Sequence, residues 1–154
     1  MKPLLVGQAP SRLSDPLEPL SGASGRRLAL LCGMGMGEFL DAFDRVNLLD
    51  RWPGRDGKGD HFPLAAARLA ASRMARSLRG RRVVLVGARV ASAFSLEAEP
   101  FRVADALGAT VSVSPHPSGI NHFWNDAANV RRARRFWRRL AQEAGRRPGA
   151  PPRS

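Results

Sequence analysis

The sequence predicts an α/β sandwich built on a mostly parallel sheet of about four strands. Three observations carry that expectation. Residues 3–6 and, after Arg82, the rest of 82–87 are continuous apolar runs of strand length, as strands buried on both faces require. Residues 109–113 are Val/Thr-rich and suit a pleated surface. Helical periodicity, clearest at 63–78 and 126–144, alternates with these runs, which is the pattern of βα units.

Taken in order, Pro3-Leu4-Leu5-Val6 is the first strand, and Gly7 ends it and permits close approach of a ligand. Residues 11–24 are polar and carry Pro16 and Pro19, so they read as loop; Ser24 then caps a helix through Leu31. Gly33-Met34-Gly35-Met36-Gly37 follows a helix rather than a strand, and its third glycine is misplaced for a dinucleotide fingerprint. It reads as a helix stop and turn. A short helix at 38–43 precedes a second strand at 45–49. Residues 50–63, rich in Gly, Pro and charge, form a long surface loop.

Pro63 suits the first turn of a helix to Leu78, with Leu64, Ala67, Ala71, Met74 and Leu78 inward and Arg68, Arg73, Arg76 and Arg79 outward. Gly80 closes it. The strand 82–87 is followed by a short helix at 88–94, and residues 101–107 are a short strand or turn. The last helix, 126–144, is capped by Asn125 or Asp126 and turns Val130, Ala133, Trp137, Leu140, Ala141 and Ala144 inward. Six arginines, from Arg131 to Arg139, crowd its remaining surface. Residues 1–145 make one domain, and 146–154, with three prolines and three arginines, are expected to be a disordered basic tail.

Charge is the strongest compositional signal. Lys and Arg number 25 against 13 acids, for a net charge of +12. Codon bias in a GC-rich genome accounts for Arg in place of Lys but not for a twofold excess over acids. The balance points to a polyanion, most simply nucleic acid. No apolar run reaches the ~18 residues of a membrane span. The first residues show no signal-peptide order, so none is expected. Cys32 is the only cysteine, which excludes an intrachain disulfide and a four-Cys cluster and fits a reducing cytoplasm.

The segment Ser114-Pro115-His116-Pro117-Ser118-Gly119-Ile120-Asn121 organises the rest. Two prolines stiffen the loop around His116 just past a strand's carboxyl end, where open α/β sheets bind ligands. Loops after Val6, Leu49 and Val113 are expected to open on that same edge, bringing together Gln8, the Ala9-Pro10-Ser11 backbone, Asn47 and His116. No nucleophile elbow, H-E-x-x-H or P-loop occurs, which removes support for triad hydrolases and for those metal and nucleotide sites. An Asn amide can read a donor–acceptor edge such as a nucleobase. A His can donate to an oxygen that becomes negative in a transition state. The set suggests an enzyme acting on a base in DNA or RNA.

Here the chain resembles the uracil-DNA glycosylase superfamily, over about residues 3–142 and in matching order. Val6-Gly7-Gln8-Ala9-Pro10-Ser11 is similar to its first motif, seen as GQDPY, GEAPG or GxNPG. Residues 19–28, Pro-Leu-Ser-Gly-Ala-Ser-Gly-Arg-Arg-Leu, resemble the PFxGxxGxxL segment of the iron–sulfur branches. Asn47 falls where the family places its base-reading Asn, and His116-Pro117-Ser118 is similar to the HPS motif, whose loop enters the minor groove. The resemblance implies the family's three-layer sandwich and a monofunctional glycosylase that flips a damaged base from DNA, in base excision repair. It implies base contacts from Gly7, Gln8, Ala9, Leu20 and Asn47, and DNA contacts from Ser24, Pro117, Ser118, Gly119, Ile120 and Asn121. His116 would bond O2 of the leaving base, with Gln8 helping to hold the base or water. No metal or cofactor is implied, and the cluster cysteines are absent. A monomer associated with DNA in a bacterial-type cytoplasm is expected.

The chain departs from the pattern at several points. Ala9 stands where the most active branch has a water-positioning Asp, Gln8 where another has Glu, Leu20 where that branch has a stacking Phe, and Ser11 where Tyr or Gly follows. Slower catalysis stays open, as does a base other than uracil: hypoxanthine, xanthine or a modified pyrimidine. Asp15 is the substitute considered for positioning water. His61 and His122 read as solvated or flanking, Phe123 and Trp124 as packing under the loop, and Ile120 as the wedge candidate. The competing readings are a nucleic-acid or nucleotide binder on the same fold without catalysis, and an unrelated basic domain that associates with RNA.

Overall fold

Leu4, Leu5 and Val6 are buried because helices cover both faces of a sheet in which their strand is interior. This strand, β1 (Leu4–Gly7), lies inside a sheet of five, in a computed structural model that describes residues 1–145. The tail expected at 146–154 lies outside the described residues. The elements that follow are α1 (Ala23–Cys32), α2 (Met36–Ala42), β2 (Asp44–Asn47), β3 (Arg55–Asp56), β4 (Gly59–Asp60), α3 (Leu64–Leu78) and β5 (Arg82–Val86). After them come α4 (Ala88–Ala93), β6 (Ala104–Ala106), β7 (Ala109–Ser114), a 3₁₀ turn (His122–Asn125) and α5 (Ala127–Gly145).

The sheet order is β2-β1-β5-β7-β6, parallel throughout except for β6. The expected count of about four strands is therefore corrected to five. The additional strand is antiparallel to β7 and joined to it by Leu107 and Gly108, both at positive φ (57° and 69°). Two such residues make the turn whose twist suits a two-residue hairpin. The stretch 50–63 is likewise more than a loop: β3 and β4 pair antiparallel within it.

Alternate residues of the strands feed two cores. Leu4, Val6, Val83, Leu85, Val111 and Val113 pack with Ala67, Ala71 and Leu78 of α3 and with Val90 of α4. Leu5, Val84 and Val86 pack on the opposite face with Leu28, Phe39, Trp137 and Leu140 of α1, α2 and α5. Helices thus cover both faces, in three layers. Cys32 belongs to the second core, and burial pushes its thiol up to about 12, so it is no nucleophile at neutral pH.

Two helix starts refine the sequence reading. Gly22, not Ser24, precedes α1, which places Ser24 in the helix's first turn. Asp126 caps α5, its Oδ1 accepting from the backbone N–H of Ala128 (2.7 Å) and Asn129 (3.3 Å). The Gly-Met repeat is a helix stop: Gly33 takes the left-handed conformation (φ 73°), and its N–H returns to Ala29 and Leu30 carbonyls. Among the described residues, no helix is long and apolar enough to cross a membrane.

Trp137 anchors the second core with its whole side chain buried, edge-on to Phe43 and Phe136. Trp137→Ala is expected to lower unfolding free energy by about 3–5 kcal/mol, read from the urea midpoint. A shift under about 1 kcal/mol would show that α5 is not held by this side chain.

Candidate active site

Parallel register lines up the ends of the strands. Gly7 pairs with Asn47 across β1 and β2, and Val86 pairs with Ser114 across β5 and β7. The chain adds β2 on one side of β1 and then β5 on the other. The switch point therefore lies between β1 and β5, and ligands of open α/β sheets bind outside the carboxyl ends at such points.

At the end of β1, a Cβ added to Gly7 would stand 2.7 Å from Asn47 Oδ1 and 3.4 Å from Leu20 Cδ2. The missing side chain is what allows the Asn47 amide and the Leu20 side chain to meet over the strand end. Gly7, Leu20 and Asn47, read from the sequence as base-contacting, are thus brought together. Leu20 is held there in a left-handed conformation (φ 56°) that an L side chain rarely adopts. Arg45 Nη1 donates to the Pro19 carbonyl at 2.7 Å. The Leu20 carbonyl lies where a Gly25 Cβ would be, at 1.6 Å.

At the end of β5, Gly87 has φ 116°, a conformation open to glycine. The His116 ring packs against it, Cδ2 lying 3.5 Å from an added Cβ. The backbone of the His116 loop is fixed from below. Its carbonyl accepts from Trp124 Nε1 at 2.8 Å and Asn121 Nδ2 at 3.2 Å, while Asn121 Oδ1 accepts from the Phe123 N–H at 3.1 Å. Trp124 is buried under the loop, and the Asn121 amide is engaged at both ends within it.

A cleft of about 680 Å³ opens beside His116. Gln8, Ser118, Gly119 and Ile120 line it from the loops that the sequence singled out. The Gln8 backbone is tied to the chain after β2, its carbonyl accepting from the Leu49 N–H at 3.0 Å. Part of the wall was not read from the sequence: Lys58, Gly59 and Asp60 from the β3–β4 hairpin, and Gly87, Ala88 and Arg89 from the β5–α4 turn. Asp60 is fastened at both ends. Its Oδ1 accepts from Trp52 Nε1 at 3.0 Å, and its carbonyl accepts from Arg89 Nη1 at 2.9 Å. Gly87 carried a usable signal: it follows the clearest strand in the chain as Gly7 follows the first.

Other expected residues stand apart. Asp15 is exposed and does not line the cleft; its Oδ1 accepts from the Leu17 N–H at 2.9 Å, closing a turn in its own loop. A position for it as the water-holding group is therefore not formed. Ala9 is half-buried just after Gln8, Ser24 is half-buried in α1, and neither lines the cleft; nor do Gly7, Leu20 and Asn47, which gather at the neighbouring strand end. Pro117 is buried beneath the loop, whereas Ile120 is 64% exposed at its tip, against Gly59. His61 and His122 are exposed, and His122 Nδ1 lies 3.3 Å from Asn125 Nδ2. Among the described residues, no three His, Cys, Asp or Glu side chains gather as a metal site would need.

Burial pushes the His116 imidazole below its ordinary value of 6.5, and the Arg89 charge adds to this against the opposing pull of Asp60. The ring is neutral at pH 7 and offers one N–H donor. No family model matches the chain, and no curated protein matches it.

The lowered value has a sign in stability. Below 6.5 the unfolded chain takes up a proton that folded His116 resists, so stability present above 6.5 is lost as pH falls from there through the folded value. The melting temperature of the wild type is expected to drop more steeply from pH 7 to pH 5 than that of His116→Gln. Parallel curves for the two proteins would mean that His116 titrates as it does in water.

Proposed function

We propose that the chain is a monofunctional DNA glycosylase, which hydrolyses the N-glycosidic bond of uracil or another deaminated or modified base flipped out of DNA. The observation that carries this reading is the pairing of strand-end glycines with functional side chains. Gly7 leaves room for the Asn47 amide, and Gly87, at φ 116°, forms the turn against which the neutral His116 ring packs, on one edge of one parallel sheet. An amide presents a donor and an acceptor, which is what the pairing edge of a base requires. A neutral imidazole N–H can donate to a carbonyl oxygen that gains charge as the base departs, without itself gaining or losing a proton.

In this reading the bond between the base nitrogen and the sugar carbon breaks first, leaving an anionic base and an oxocarbenium-like sugar. His116 stabilises the anion and Asn47 selects the base. Water then adds to the sugar carbon, and its proton leaves to Asp60 or to solvent. Asp60 is the carboxylate that lines the cleft, and Trp52 orients it. It takes the role considered above for Asp15. Ser118, Gly119 and Ile120 would meet the DNA, with Ile120 entering the base stack. The protein would act as a monomer, with the DNA of a bacterial-type cytoplasm.

A second reading, a non-catalytic nucleic-acid or nucleotide binder on the same fold, is favoured by Ala9, which offers no carboxylate beside Gln8. The two part on a panel of oligonucleotides carrying uracil, hypoxanthine or xanthine, treated with alkali to reveal abasic sites. Cleavage at one of these bases is expected, and none at any base would favour the binder.

On the cleaved substrate, His116→Ala is expected to lower the single-turnover rate by about 10²–10³, the usual cost of deleting one such donor, with DNA affinity nearly unchanged. A folded variant that cleaves at the wild-type rate would remove His116 from the mechanism. Asn47→Asp replaces the amide donors at nearly the same shape. It is expected to change the order of preference across the panel, and wild-type selectivity in this variant would show that another group reads the base.

A further inference from the structure

Six arginines of α5 face solvent, against one glutamate, Glu143. Glu143 lies 3.6 Å from Arg139 and 3.7 Å from Arg82. Among the described residues, Arg131, Arg134, Arg135 and Arg138 form no ion pair. Arg131, Arg135 and Arg139 stand on successive turns, and like charges four residues apart weaken a helix. The fold keeps this row at a cost in stability that a polyanion would relieve.

Beside the row lies a second cleft, of about 780 Å³, between α5, the strands β5 and β7 and the segment that precedes β6. Phe101, Val103 and Phe136 form its floor, while Arg82, Arg135 and Arg139 stand around it. The two phenyl rings lie 5.0 Å apart, and Val103 is 57% exposed. Arg82 Nη1 is anchored to the Thr110 carbonyl and Ser112 Oγ, at 3.3 and 3.1 Å. Burial pushes the Arg82 guanidinium below its ordinary value; Glu143 works against this and Arg139 adds to it. One carboxylate thus serves a cleft with three guanidinium groups. The two clefts share no lining residue.

We infer that this second cleft binds single-stranded nucleic acid, its arginines holding phosphates and its aromatic floor holding unpaired bases. Guanidinium groups match phosphate geometry, and phenyl groups offer bases an apolar surface; single-strand sites combine the two. A duplex presents its phosphates but hides its bases. An acidic peptide would use the arginines and leave the floor without a function. The inference shares with the glycosylase reading the choice of nucleic acid as partner, but it needs no excision.

The test measures binding of a fluorescent oligodeoxythymidylate to the full chain. Comparators are an abasic oligomer of equal length, the corresponding duplex and polyglutamate. The wild type is expected to bind the oligothymidylate at least about fivefold more tightly than the abasic oligomer, because each stacked base contributes affinity, and more tightly than the other two. Arg131→Gln/Arg135→Gln/Arg139→Gln is expected to flatten the log–log salt dependence by about 2, from about 0.7 for each lost single-strand contact. It should melt close to the wild type, since it removes like-charge neighbours together with the exposed Arg139–Glu143 pair. Arg73→Gln/Arg76→Gln, exposed on α3 across the sheet, should bind the oligothymidylate as the wild type does, whether or not the protein excises any base. Equal binding of the abasic oligomer, the duplex or polyglutamate would overturn the inference, and so would an unchanged salt slope in the folded triple variant. The comparison of polymers on the wild type decides the matter even if the triple variant does not fold.

Discussion

Glycine at two strand ends is the constraint on which the candidate site depends. A side chain at residue 7 would collide with the Asn47 amide, and one at residue 87 would be forced into a conformation with φ 116°. Both positions are glycine, and both adjoin strands of the parallel core. The sheet thus does more than carry loops. Its register brings Asn47 beside Gly7, and its pairing of Val86 with Ser114 sets His116 over the turn that follows β5. Rigid strands hold such side chains more closely than mobile loops could.

Electrostatics in the cleft follow from the same packing. His116 is neutral because it is shielded and faces Arg89, while Asp60 moderates the effect. Arg89 also donates to the Asp60 backbone, so one arginine both depresses the imidazole and ties down the hairpin that bears the carboxylate. The loop above is fixed by Trp124 and Asn121 through the His116 carbonyl, which leaves the ring free of that task. Donor, carboxylate and amide are each set by a different pair of elements. Their relative positions therefore depend on the folded sheet as a whole.

Much of the framework was legible in the chain. The runs at 3–6, 82–87 and 109–113 became strands because strands covered on both faces need continuous apolar side chains. The stripe Ala133, Trp137, Leu140 and Ala141 became the buried face of α5. Less was legible where local signals are weak. Ala104–Ala106 has no strand-forming side chains, and the turn after it uses Leu107 at positive φ, where Asn or Gly would have announced a hairpin. The β3–β4 hairpin has only two residues on each side, too few for any periodicity.

The sequence by itself determined the alternation of strands and helices, the excess of positive charge, and the strand-end positions of Gly7, Asn47 and His116. Those properties are local: they rest on side-chain volume, on spacing, and on the stiffness that Pro115 and Pro117 impose. Tertiary structure alone decided that Asp60 and Arg89 line the cleft, that Asp15 does not, and that Gly87 seats the imidazole. The hairpin reaches His116 from more than fifty residues away, by packing against Ile120 and bonding to Arg89. Contacts between segments so distant in the chain depend on sheet order and register, and no local pattern of residues encodes either.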